Sequence, residues 1–137
     1  MTGSFVIYKG RDFEANDVGL QIWMFYLIQE AQADPDSSEW KEELIEDWSD
    51  VITWTALGSV WTRLDHFAGE QEHRDKLIEY AENALDRLRS ESKISIDILG
   101  EKGIGGDVRY YEDIPSDRIA IIGRKFSRLL KGETLEI

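Results

Sequence analysis

Twelve consecutive residues, Val18 to Gln29 (VGLQIWMFYLIQ), carry no charge. A surface helix shows charge along one face, so a helix that is apolar all round must be buried on most sides. The rest of the chain has to wrap this segment. A chain of 137 residues is long enough to do so, since it hides roughly two-thirds of its unfolded surface. The run is also too short to span a bilayer, which needs about 20 apolar residues. One domain, residues 1–137, is expected.

The pattern around this segment predicts an α+β fold. Three core helices are expected over roughly residues 12–32, 38–67 and 70–90. A small antiparallel sheet takes strands near 4–9, 94–99 and 107–111, with 134–137 as a candidate closing strand. Ser4–Lys9 (SFVIYK) is punctuated by Gly10, and the first helix starts at Asp12 or Asn16. Pro35 breaks the ADPDSS loop, and Asp36 or Ser38 supplies the cap of the second helix. The third helix buries Leu77, Ala81, Ala84, Leu85 and Leu88 and shows charge elsewhere. Ile94–Leu99 alternates apolar and polar as a half-buried strand does, and Gly103, Gly105 and Gly106 form the turn that follows. A last helix near 117–131 has Ser116 as its cap and an apolar side of Ile119, Ile122, Phe126, Leu129 and Leu130. Gly132 is its stop.

The second helix has two unlike halves. In the first, Trp40, Leu44, Trp48 and Val51 share one face. Glu39, Glu42, Glu43, Glu46, Asp47 and Asp50 lie opposite. In the second half the stripe is Trp54, Leu57, Val60, Trp61 and Leu64. At 100° per residue that stripe lies over the earlier acidic face. Either the helix kinks, with Gly58 the weak point, or it stays straight under different neighbours. Val51 to Thr62 is charge-free and is expected to be central.

The net charge of −12 is concentrated. Residues 34–92 hold six basic and sixteen acidic side chains, and residues 93–137 hold eight of each. Nucleic acid and anionic membrane repel such a surface, so neither is an expected partner. A basic protein is compatible with it. There are no cysteines, which excludes a disulfide framework, a thiolate metal site and a cysteine nucleophile. The opening MTGSFVIYKGRDFE has no basic region followed by an apolar core, so no signal peptide is read and a cytoplasmic protein is expected.

Chemistry-bearing patterns are sparse. Glu70 and His73 have the Glu-x-x-His spacing of half a di-iron site, but no second copy exists. His66 and His73 alone do not define a zinc site. Gly103–Gly106 lacks the strand–glycine–helix context of a dinucleotide fold. Glu42, Glu43 and Glu46 form E-E-x-x-E, and Glu72 with Asp75 forms E-x-x-D. This arrangement resembles that of helical nucleotide pyrophosphatases of the MazG type. The resemblance covers those five residues and implies that facing helices hold Mg²⁺ against a polyphosphate.

The expected function is binding rather than catalysis. The candidate surface comprises Glu39, Trp40, Glu42, Glu43, Glu46, Asp47 and Asp50, extended by Glu72, Asp75 and Glu79. The tryptophans, Trp40 included, are expected to be core, and Trp40, in the first turn among carboxylates, is the best candidate among them for an exposed anchor. No catalytic set, metal site or cofactor is assigned. The concrete form of such a domain is an inhibitor of a basic partner, such as an immunity protein for a bacterial nuclease-type toxin. Two alternatives stay open: a divalent-metal-dependent nucleotide pyrophosphohydrolase, and a structural or adaptor domain of an oligomer.

Overall fold

A computed structural model describes residues 3–54, 60–106, 110 and 112–135. The fold is α+β, as the sequence pattern predicts. It opens with an antiparallel hairpin, β1 (Gly3–Tyr8) and β2 (Arg11–Asn16), in register from Gly3↔Asn16 to Tyr8↔Arg11. Residues 12–16 are thus strand, so of the two expected starts of the first helix Asp12 is corrected and Asn16 holds. Asp12-Phe13-Glu14-Ala15 alternates, with Phe13 and Ala15 buried and the two acids exposed. The two-residue loop Lys9-Gly10 has positive φ at both positions, 50° and 77°, which matches the twist of a tight hairpin.

Helix α1 (Asp17–Ala33) starts where Asn16 caps it, its side chain accepting from the Gly19 N–H at 3.0 Å. Every residue from Leu20 to Ile28 is buried, as the charge-free run requires. At its first turn Asp17 is buried and accepts from the Ser4 hydroxyl, whose oxygen accepts from the Val60 N–H at 3.0 Å. A carboxylate there also suits the positive end of the helix dipole.

Helix α2 (Glu39–Val51) is capped by Ser38, which accepts from the Lys41 N–H at 3.2 Å. It does not continue to residue 67. The two apolar stripes cannot share a face, and the chain resolves this by leaving the helix after Val51. The freed carbonyls are satisfied. The fully buried Gln21 of α1 donates to the carbonyls of Val51 and Trp54, both at 3.0 Å. The Gly105 N–H donates to the Ile52 carbonyl at 2.7 Å. A polar residue in the apolar core helix is therefore a helix cap for its neighbour. Gly58, the expected weak point, lies outside the described residues.

A one-turn helix α3 (Leu64–Phe67) precedes α4 (Gln71–Ser90), which matches the third expected helix. The expected strand 94–99 is corrected. Only Lys93–Ile94 (β3) is strand, and it pairs with Ile114–Pro115 (β4). Residues Ile96–Glu101 form helix α5, with the Ser95 hydroxyl accepting from the Asp97 N–H at 3.2 Å. Ser95 followed by Asp97 is a helix-start signal that outweighs the short alternation. The turn after it, at residues 102–106, is as expected. The expected strand 107–111 falls almost wholly outside the described residues; Tyr110, which is described, is not in a strand. Thr134 and Leu135 are not in a strand either, and the remainder of that candidate strand lies outside the described residues.

Helix α6 (Ser116–Lys131) packs against α4, α1 and the hairpin. Ser116 is its first residue rather than its side-chain cap, and its hydroxyl donates to the Glu91 carbonyl. Gly132 ends it with φ 75°. Its N–H bonds the Leu129 carbonyl and the Glu133 N–H bonds the Arg128 carbonyl, the paired pattern of a Schellman stop. The buried apolar side chains form one contiguous cluster centred on α1. Among the described residues no helix is long and apolar enough to cross a membrane.

Candidate protein-binding surface

The acidic face of α2 faces solvent. Glu39, Glu42, Glu43, Glu46 and Asp50 are exposed, and Leu44, Trp48 and Val51 are buried on the other side. Two of the acids have polar side-chain partners from residues 60–67. Arg63 lies 3.2 Å from Asp47, and His66 Nε2 lies 2.8 Å from Glu43. On α4, Glu72, Asp75 and Glu79 are exposed, with Lys76 3.6 Å from Glu79. The N-terminal ends of α2 and α4 meet where Trp40 stacks on His73, 4.5 Å between ring centres and 10° from parallel. Beside this contact, Lys76 lies 3.2 Å from Asp34 and 3.8 Å from Asp36. The basic helix α6 does not cover the α2 face. Its Lys131 pairs with Glu82 of α4, at 2.6 Å.

Trp40 is not the exposed anchor the sequence suggested. Its ring is sandwiched on His73 and its indole N–H donates to the Phe67 carbonyl at 2.8 Å. Two exposed tryptophans lie instead in the segment expected to be central. Trp61 is 60% exposed and Trp54 38%, and their rings meet edge to face at 6.0 Å.

These two tryptophans line one open groove of about 680 Å³ with Phe5 and Ile7 of β1, which are 55% and 50% exposed. Thr62, Leu64, Asp47, Arg63 and Asp65 complete it. Three separate segments thus bring four large apolar side chains to one solvent-facing place. The rim is acidic. Asp47 and Asp65 belong to the lining, and Glu14 and Asp12 are the cross-strand partners of Phe5 and Ile7. Among the described residues Arg63 is the groove's one cation, tied to Asp47 and lying over the Phe67 ring at 5.5 Å. Its backbone is left-handed, φ 53°, a conformation that costs a non-glycine residue energy and concentrates at functional positions.

Sequence reasoning found the acids and missed the groove. The signal was present in β1. Phe5-Val6-Ile7-Tyr8 is apolar on both faces, whereas a strand with one wet face alternates. The rotated stripe ending in Trp61 was the other half of that signal.

The titration of nearby groups reports the structural contacts. The Tyr80 hydroxyl donates to Asp34 at 2.6 Å. With the Asp36 N–H and Lys76, it holds the Asp34 carboxyl down to about 2. Burial and the same bond push Tyr80 up. Among the described residues no group of three or more His, Asp or Glu side chains is placed to hold a metal ion. The pyrophosphatase-like carboxylates are therefore not gathered into one ligand set. Set against family models, curated protein sequences and solved structures, the chain matches none of them.

Proposed function

We propose that this chain is a binding domain for a basic protein, acting in the cytoplasm as an inhibitor of that partner. The observation that carries the reading is the apolar groove of Phe5, Ile7, Trp54 and Trp61 with carboxylates around it. Large exposed aromatic side chains in a concave patch match the centre of a protein interface, where tryptophan is enriched and water is excluded. An acidic surround steers a basic partner and penalises an acidic one. The exposed acids of α2 and of α4 extend the same field. An immunity protein for a bacterial nuclease-type toxin is the concrete version, because a nuclease needs a basic cleft to hold its substrate.

The exposed groove also bears on the oligomer reading. Self-association through a two-fold interface would bring the same acidic rim against itself. In a chain of net charge −12 that repulsion disfavours a dimer through this face. No observation favours the pyrophosphohydrolase.

The test is capture by the immobilised chain from its native source, eluted in steps of salt. The expected result is a basic protein released by salt and not captured by a Trp61→Ser chain. Two results would sink the proposal: captured proteins held equally by wild type and Trp61→Ser, or a stable dimer that Trp61→Ser dissolves.

A further inference from the structure

A second cavity has the opposite charge. It measures about 280 Å³ and is lined by Tyr8, Lys9, Arg11, Arg74 and the end of α6 from Leu129 to Gly132, including Lys131. Among the described residues, four cations and no acidic side chain line it, in a chain with 28 acidic and 16 basic residues. Lys131 is neutralised by Glu82. Among the described residues, Lys9, Arg11 and Arg74 have no carboxylate within ion-pair distance.

Two further observations point to a missing acceptor. The Nε of Arg74 is buried and has no hydrogen-bond partner. Buried donors are nearly always satisfied, and an orphan calls for a water or an ion. Lys9 occupies the first position of the hairpin loop with φ 50°, where asparagine, aspartate or glycine is the favoured residue. The chain keeps a lysine there at a conformational cost, and its ammonium lies 5.4 Å from the centre of the Tyr8 ring, which also lines the cavity.

The end of α6 offers a simpler role for these cations, since positive charge suits a helix C-terminus. That end is already closed by the Gly132 and Glu133 N–H groups, and Arg11 donates to the carbonyl of Glu133, beyond the helix. Arg74 Nε remains without an acceptor.

We propose that this cavity binds a doubly charged oxyanion, the phosphate group of a small molecule. Lys9, Arg11 and Arg74 together more than offset two negative charges, and guanidinium groups suit phosphate oxygens. The site is separate from the apolar groove, because Tyr8 lies on the opposite face of β1 from Phe5 and Ile7.

Inorganic phosphate is the probe, titrated calorimetrically against the full chain, with sodium chloride at equal ionic strength as control. Saturable phosphate binding is expected, absent with chloride and weakened about tenfold or more in K9N and R74Q. K9N keeps the loop and removes the charge, so its thermal melt without phosphate should equal or exceed wild type. It therefore decides the question if R74Q does not fold. The proposal is overturned if wild type shows no saturable phosphate binding, or if folded K9N binds as wild type does.

Discussion

Two stretches of this chain lack charge, Val18–Gln29 and Val51–Thr62, and they end up in opposite places. The first is the buried centre of the fold, with Leu20 to Ile28 all hidden. The second is buried at Val51, Ile52, Val60 and Thr62 but presents Trp54 and Trp61 to solvent. A missing charge says that water is excluded from a segment in its working state. It does not say whether the chain's own residues or a partner's do the excluding. For α1 the excluding groups are α2, α4 and α6. Trp54 and Trp61 have Phe5 and Ile7 as apolar neighbours in a groove that stays open.

The contrast breaks if the two stretches respond alike to truncation. Trp23→Ala empties the fully buried centre of α1, which packs edge to face on Phe126 at 5.7 Å. A loss of about 3–5 kcal/mol is expected. Denaturant melts measure it, and a loss below about 1 kcal/mol would remove the case for α1 as the organising core. Gly123→Ala probes the same contact from α6. A Cβ there would stand 2.6 Å from the Trp23 ring and 2.9 Å from Leu85. Neither neighbour is a loose surface side chain, so the helices must part, at a cost of about 1–3 kcal/mol.

Those two residues also show what was legible. The burial of α1 follows from one dozen residues, because nothing but a core tolerates such a segment. Gly132 and the α6 stripe were legible for the same local reason. The end of α2 was not. It depends on Gln21 and Gly105 reaching the carbonyls of Val51, Trp54 and Ile52 across the fold, and no local pattern announces a cap from 30 residues away. β2 was missed because Asp12 to Asn16 combines helix-start residues with a weak alternation, and the Lys9-Gly10 loop carries lysine where asparagine would have signalled a hairpin. The acids of the candidate surface were legible by composition, and all but the half-buried Asp47 are exposed. The groove was not, since it requires β1 and the segment after α2 to come together in space.

A smaller effect is expected at the turn that joins α1 to α2. Asp34 accepts from Tyr80 and from the Asp36 N–H and lies beside Lys76. Its carboxyl titrates at about 2 in the folded chain instead of 3.8. A depressed folded value means that the contribution to stability is fully present above the ordinary carboxylate range. It is lost as pH falls from about 4 to about 2. Tyr80→Phe removes the leading cause. The variant should melt lower than wild type at neutral pH, and the difference should narrow over that acid window. A gap that stays constant down to pH of about 2 would mean that packing alone, not the Asp34 bond, accounts for it.

The smallest change in stability, and the sharpest comparison with Trp23, is expected at Trp61. Its ring is 60% exposed and meets that of Trp54 edge to face. Trp61→Ser should shift unfolding by no more than about 0.5 kcal/mol, as surface substitutions do. The same change should weaken the basic partner by about 2 kcal/mol or more, roughly thirtyfold in Kd, if the groove is the centre of the interface. A stability loss approaching that of Trp23→Ala would instead mean that the chain itself covers Trp61 in solution. The two charge-free stretches would then be one kind of thing, and the groove would be core rather than contact surface. An unchanged melt with lost binding would separate them: the first stretch folds the chain, and the second is completed by another molecule.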